Sequence, residues 1–143
     1  MSNKERVALI SCVSQKLDHE APAEEFYISS LFRKNLEWAK LGNFDKIYIL
    51  SAKYGLVELD FKLKPYDKTL NKMAIKDRRT WADDVWGDIL NDHDLDNTQF
   101  TFLAGTRYRE FLEDRLPFTE VPMRGLQIGK QLQWLTREIK LKK

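Results

Sequence analysis

The chain has little of what holds small extracellular proteins together. Cys12 is its one cysteine among 143 residues, so no internal disulfide can form, and a lone thiol of this kind fits a reducing compartment. The cytoplasm is the expected location. Long hydrophobic runs are also missing. Behind Met1-Ser2-Asn3-Lys4-Glu5-Arg6 come only about seven apolar or small residues, against the ~20 that a membrane-spanning helix requires, and no signal-peptide cleavage site follows them. No membrane partner is expected. Histidine is scarce: His19 lies in a loop near acids, His93 ends a helix whose C-terminal dipole would favour it, and neither has a second ligand at metal spacing. No metal site is expected. Repeats, linkers and low-complexity segments are absent, as are a Walker loop and a dinucleotide fingerprint, so no cofactor is expected either.

What the chain does have is an ordinary globular balance of 43% apolar, 32% charged and 12% aromatic residues, which supports a core without staples. At this length one domain buries roughly 70% of its unfolded surface, so residues 1–143 are read as a single domain.

Residues 6–13 are a short, partly β-branched apolar run, too brief for a core helix, which predicts a buried strand. Over residues 21–41, Phe26, Leu31, Phe32, Leu36, Trp38 and Ala39 follow a helical spacing that stops at Gly42-Asn43. Residues 45–52 predict a second strand, followed by an irregular segment to residue 71. Trp81, Ala82, Val85, Trp86, Ile89 and Leu90 form the apolar stripe of a helix over residues 73–91, with aspartates on its other face. Residues 98–104 predict a third strand, 106–116 a helix, 120–123 a short fourth strand, and residue 128 onward a last helix. Strands alternating with helices imply an α/β fold: a mainly parallel sheet of about four strands with helices on both faces.

The net charge of +2 is too small to imply a polyanionic partner. Its distribution is uneven. Residues 53–79 hold eight cations against four anions, an excess of +4, whereas residues 83–96 hold six aspartates and no lysine or arginine. Two solvated faces would give the same split.

In an open parallel sheet, ligands bind beyond the carboxyl ends of the strands. The segments expected there are Ser11-Cys12-Val13-Ser14-Gln15-Lys16, Ser51-Ala52-Lys53-Tyr54-Gly55, Ala104-Gly105-Thr106-Arg107-Tyr108-Arg109 and Met123-Arg124-Gly125-Leu126-Gln127-Ile128-Gly129-Lys130. Each sets small or hydroxyl residues beside a cation, and three contain glycine. Glycine lets backbone N–H groups approach an anion, Lys and Arg neutralise it, and Ser or Thr add short donors. Together they outline a phosphate-sized anion site, although any one of them is equally an ordinary solvated loop. Tyr54, Tyr66 and Tyr108 near them suit a ring to be stacked. Cys12 is either a small buried hydrophobe at a strand end or, with Lys16 or Lys53 close by, an activated nucleophile. Pro65-Tyr66-Asp67 is either a turn or a substrate contact.

Several segments together resemble a known family. They are Cys12-x-x-x-Lys16, Ala21-Pro22-Ala23, Tyr27-x-Ser29-x-Leu31-Phe32-Arg33-Lys34, Ile49-Leu50-Ser51-Ala52-Lys53-Tyr54-Gly55-Leu56, Pro65-Tyr66-Asp67, Ala104-Gly105-x-x-Tyr108 and Pro122-x-x-Gly125-Leu126-x-Ile128-Gly129-x-Gln131-Leu132-x-Trp134-Leu135. This is similar to the signature of a family of short bacterial and phage proteins of unassigned function, the DUF6884 type. That family in turn resembles the peroxide-stress, DNA-binding YaaA proteins and the lysine-transferring domain of archaeosine synthase, which acts on a modified tRNA base. The resemblance implies an α/β fold and a nucleic-acid or nucleobase setting. Tyr54 stands where many relatives have histidine, so a histidine base is not available there.

The combined expectation is an enzyme acting on a nucleotide or nucleic-acid base, by base modification, transfer or glycosidic-bond chemistry. Cys12, Ser51 and Asp67 would carry the chemistry. Lys16, Lys53, Arg109 and backbone near Gly55 and Gly105 would hold a phosphate, while Tyr54 or Tyr66 would stack on the ring. Ser14, Tyr27, Ser29, Arg33, Tyr108 and Gly125 complete the expected binding set. The competing expectation is a non-catalytic DNA- or RNA-binding module whose +4 segment tracks the backbone. A third is an adaptor that meets a protein through its aspartate face.

Overall fold

The computed structural model describes residues 4–11 and 15–143. The apolar run that opens the chain becomes β1 (Glu5–Ser11). Val7, Ala8, Leu9 and Ile10 are all buried, because alternate side chains of a strand point to opposite faces and both faces are covered here. β1 pairs in parallel with β3 (Lys46–Ser51) on one side and β6 (Thr98–Leu103) on the other. Beyond β6 lies the parallel strand β7 (Thr119–Glu120), two residues long and bracketed by Pro117 and Pro122. Beyond β3 lies the antiparallel β4 (Gly55–Glu58), so the five-stranded sheet runs β4-β3-β1-β6-β7.

Two departures from the sequence pattern shape the rim. The helix expected over residues 21–41 is divided into β2 (Ala21–Pro22), the single turn α1 (Ala23–Phe26) and α2 (Ser30–Leu41). The break falls at Tyr27, whose extended backbone (φ −97°, ψ 125°) bridges to Lys16 and whose side chain is fully buried. Ser29 restarts the helix, its Oγ accepting the Phe32 N–H at 3.2 Å. The second departure follows β3. Ala52, Lys53 and Tyr54 form a three-residue hairpin loop, and Gly55, with φ of +74°, opens β4. A left-handed glycine is what such a loop takes. The stretch read as irregular then supplies β5 (Lys62–Leu63), which pairs with β2, and a 3₁₀ turn at Leu70–Lys72.

α3 (Ile75–Asp92) packs Trp81, Ala82, Val85 and Ile89 against Val7, Leu9, Leu50, Phe100 and Phe102 on one face of the sheet. α2 and α5 (Ile128–Lys142) lie side by side on the other, their Trp38 and Trp134 ring centroids 5.5 Å apart. Leu36, Ala39, Leu135 and Ile139 cover Ala8, Ile10 and Ile49 there. Burial of each such aliphatic or aromatic side chain contributes about 1.5–3 kcal/mol. The helix expected over residues 106–116 shortens to α4 (Thr106–Arg109) and a 3₁₀ turn at Glu113–Arg115.

The chain leaves β1 over the α2 face to reach β3, then returns over the α3 face to β6 on the far side of β1. β1 and β6 are therefore neighbours whose connections depart in opposite directions. A crevice opens at such a switch point, beyond the strand carboxyl ends.

Candidate functional site

The crevice is occupied by a cavity of about 460 Å³. Ser11 at the end of β1 and Gly105 just past β6 form its base, tied by the Gly105 N–H donating to Ser11 Oγ at 3.4 Å. Ser29, Ser30, Leu31 and Phe32 wall it from the start of α2, and Ile128, Gln131 and Leu132 from the start of α5. Gln15, Asn71 and Tyr108 complete the lining. Tyr108 is buried edge-on against Trp81, with centroids 5.6 Å apart, and its hydroxyl accepts the Leu70 N–H at 3.4 Å. Two helices thus begin at one cavity, and neither has an acidic residue in its first turn. Helix N-termini present unsatisfied N–H groups and a partial positive charge, so the cavity favours an anion. Gly105 has φ of −68°, and a Cβ there would meet nothing within 4 Å. Its missing side chain widens the opening and relieves no backbone strain.

A smaller cavity of about 260 Å³ adjoins the first, sharing Gly105 and Gln131 and adding Arg109 and Gly125. Gly125 takes φ of +81°. Arg109 Nε is buried 3.6 Å from Glu113 Oε1, beyond hydrogen-bond reach, and has no hydrogen-bond partner among the described residues.

Behind this rim lies an array of hydroxyls. Tyr66 Oη is 2.7 Å from Tyr27 Oη and 3.0 Å from Ser51 Oγ, and Ser51 Oγ accepts the Tyr54 N–H at 3.1 Å. Ser51 is fully buried, and its carbonyl accepts the Trp81 indole N–H at 2.8 Å. Lys16 Nζ lies 4.8 Å from the Tyr66 ring centroid, and Tyr54 meets Tyr66 edge-on at 5.8 Å. The fold brings Lys16, Tyr27, Ser51, Tyr54 and Tyr66 together as this array. It brings Ser29, Gly105 and Tyr108 to the large cavity, and Arg109 and Gly125 to the small one.

Other expected residues lie elsewhere. Lys53 is carried by the hairpin loop to a third cavity of about 400 Å³, beside Lys68, Asp77 and Asp84, so Lys53 and Arg109 share no cavity. Gly55 sits at the hairpin corner, and Asp67 and Arg33 are exposed, Arg33 donating to the Glu24 carbonyl. Cys12 and Ser14 lie outside the described residues. The +4 segment is divided among β4, β5 and the start of α3, with Arg78 buried and ion-paired to Glu110 at 2.9 Å. Sequence reasoning did not find Ser30, Phe32, Asn71, Gln131 or Leu132. The Ser29-Ser30 pair ahead of an apolar helical run was the one available signal, an N-cap.

At the opposite end of β1 and β6, the side chain of His93 is buried, with Nδ1 2.6 Å from Glu5 Oε1 and Nε2 2.7 Å from Tyr48 Oη. Its backbone N–H caps α3 on Ile89 O, while its ring is engaged by Glu5 and Tyr48. Burial, followed by the carboxylates of Asp92, Glu58 and Glu5, pushes the Tyr48 phenol up to about 12. Among the described residues no cluster of His, Cys, Asp and Glu is arranged to hold a metal ion, and no helix is long and apolar enough to cross a membrane.

Fold and site together define a doubly wound α/β domain with a ligand-sized cavity at its switch point. The chain belongs to a family of unknown function, DUF6884, whose model matches residues 7–137. No curated protein and no solved structure matches it.

Proposed function

We propose that the cavity between β1 and β6 holds a nucleotide and that the protein acts on its base. The observation that carries this reading is the meeting of two acid-free helix N-termini at the switch point, which supports a bound phosphate. Leu31, Phe32 and Leu132 offer apolar walls to a ring, and Gln15, Asn71 and Gln131 offer amide donors and acceptors to its edge. The volume lies within the range of about 300–1,000 Å³ usual for small-molecule sites. The resemblance read from the sequence, of Ser51, Tyr54-Gly55 and Pro65-Tyr66 to the YaaA pattern and of Cys12-x-x-x-Lys16 to that of archaeosine synthase, points the same way. Neither Ser51 nor Asp67 lines this cavity; the reading keeps Cys12, which directly follows Ser11 in the sequence, as its nucleophile.

Calorimetry and thermal unfolding with the nucleoside 5′-monophosphates, their nucleosides and inorganic phosphate test the reading. At least one monophosphate binds more tightly than its nucleoside or phosphate, and at 100 times its Kd it stabilises the fold by about 2.7 kcal/mol. Leu132→Trp, which fills the cavity, removes that binding. No response to any monophosphate, or an unchanged response in Leu132→Trp, would overturn it.

A further inference from the structure

We infer that the nucleotide is taken as part of a single-stranded nucleic acid, whose backbone runs along α5 while one base enters the cavity. This rests on the nucleotide reading of that cavity. The first observation is a separation of charge across the sheet. α2, α5 and Lys143 hold eight lysines and arginines against Glu37 and Glu138, a net charge of +6. On the opposite face, residues 75–97, which comprise α3, the 3₁₀ turn after it and the two residues between them, hold three cations against seven aspartates, a net charge of −4. The basic layer is the one that borders the cavity.

The second observation is a groove of about 460 Å³ along α5, lined by Leu132, Gln133, Thr136, Arg137 and Lys140. Leu132 also lines the cavity, so groove and cavity adjoin at this side chain. From Leu132 to Lys140 the groove extends roughly 12 Å along the helix axis. Lys130, Arg137 and Lys140 are exposed and form no ion pair among the described residues, whereas Lys40 and Lys143 are paired with Glu24 and Glu37. Cations in a last helical turn complement the macrodipole, but Lys130 stands in the first turn of α5, where the dipole opposes it, and Arg137 stands in the middle. A polyanion passing the cavity mouth supplies the missing countercharge.

A single strand fits better than a duplex because a base must leave its stack to enter a walled cavity. A membrane surface fits poorly. Between Ile128 and Leu141, at opposite ends of α5, the exposed face carries Lys130, Gln133, Thr136, Arg137 and Lys140, with no apolar stripe to insert.

Fluorescence anisotropy with labelled single-stranded DNA, single-stranded RNA and duplex DNA of about 12 nucleotides tests the inference. One of the single strands binds at least ~10-fold more tightly than the best mononucleotide, and its affinity falls between ~50 and ~200 mM salt. The double variant Arg137→Glu, Lys140→Glu weakens strand binding by at least ~10-fold and leaves mononucleotide binding unchanged, which also reports that it has folded. Strand binding no tighter than that of the mononucleotide overturns the inference while the cavity reading stands. So does an unaffected double variant, preference for the duplex, or binding to phosphatidylserine vesicles instead of strands. A strand that binds through Arg137 and Lys140 while no mononucleotide binds would instead sink the cavity reading and keep the basic face.

Discussion

Tyr66 Oη lies 2.7 Å from Tyr27 Oη, although 39 residues separate them in the chain. The contact fastens the segment after β5 to the break between α1 and α2, and Ser51 Oγ joins it from the end of β3. Three elements of the rim are thereby held by one phenol. Tyr66→Phe keeps the ring and takes a hydrogen-bond partner from two fully buried groups, which costs about 1–2 kcal/mol. Urea denaturation measures it, and an unchanged midpoint would show that the array contributes no stability.

Gly55 is the conformational requirement of the hairpin. A Cβ there would meet Val85 Cγ2 at 3.7 Å, an ordinary contact, so the cost of a side chain is in the backbone at φ of +74°. Gly55→Ala is expected to lose about 1 kcal/mol, and Gly55→Asn less, because asparagine tolerates the left-handed region better. A thermal melt in which alanine and asparagine behave alike would contradict this.

Tyr48 sets the alkaline limit. Its phenol is held up at about 12 in the folded protein, against about 10 in an unfolded chain. Between those values the folded state keeps a proton that the unfolded state has lost. Stability that is fully present below about pH 10 therefore declines as pH rises through about 12, by on the order of 2 kcal/mol. Tyr48→Phe forfeits the His93 hydrogen bond, so it is less stable at neutral pH, yet its stability falls less steeply over the same alkaline window. Denaturation curves across pH, with and without the substitution, decide the point.

Ser30→Asp has opposite effects on stability and on binding. A carboxylate in the first turn of α2, which has none, complements the helix dipole and raises stability by about 0.3–1 kcal/mol. The same charge faces the cavity and repels a phosphate, so nucleotide affinity falls by ~10-fold or more. A melting temperature that rises while the Kd is unchanged would place the anion elsewhere.

The central strands are legible in the sequence because a parallel strand covered on both faces reads as an unbroken apolar run, as Val7 to Ile10 do. The break at Tyr27 shows in the sequence only as a gap in the apolar spacing, Phe26 and Leu31 being five residues apart, and such a gap does not reveal that Tyr27 is a buried, extended residue. β4 is hidden for another reason: Gly55-Leu56-Val57-Glu58 is too short to alternate recognisably, and only its pairing with β3 makes it a strand. Of the site, the strand-end glycine Gly105 and the aromatic Tyr108 carried a signal. Asn71, Gln131 and Leu132 did not, because neutral amides and a leucine are unremarkable until the strand order sets the first turn of α5 over β1 and β6. Lys53 looked like a partner of Arg109 for the same reason in reverse. Its position after a strand was readable, but the hairpin that turns it toward Asp77 and Asp84 was not.

The brevity of β7 bears on how the protein behaves when concentrated. An exposed sheet edge is a template on which a neighbouring chain can add a strand and begin a fibre. Here the outermost parallel strand offers two residues, and Pro117 and Pro122 on either side have no N–H to donate to an incoming ladder. Growth from that side has almost no rung to start on.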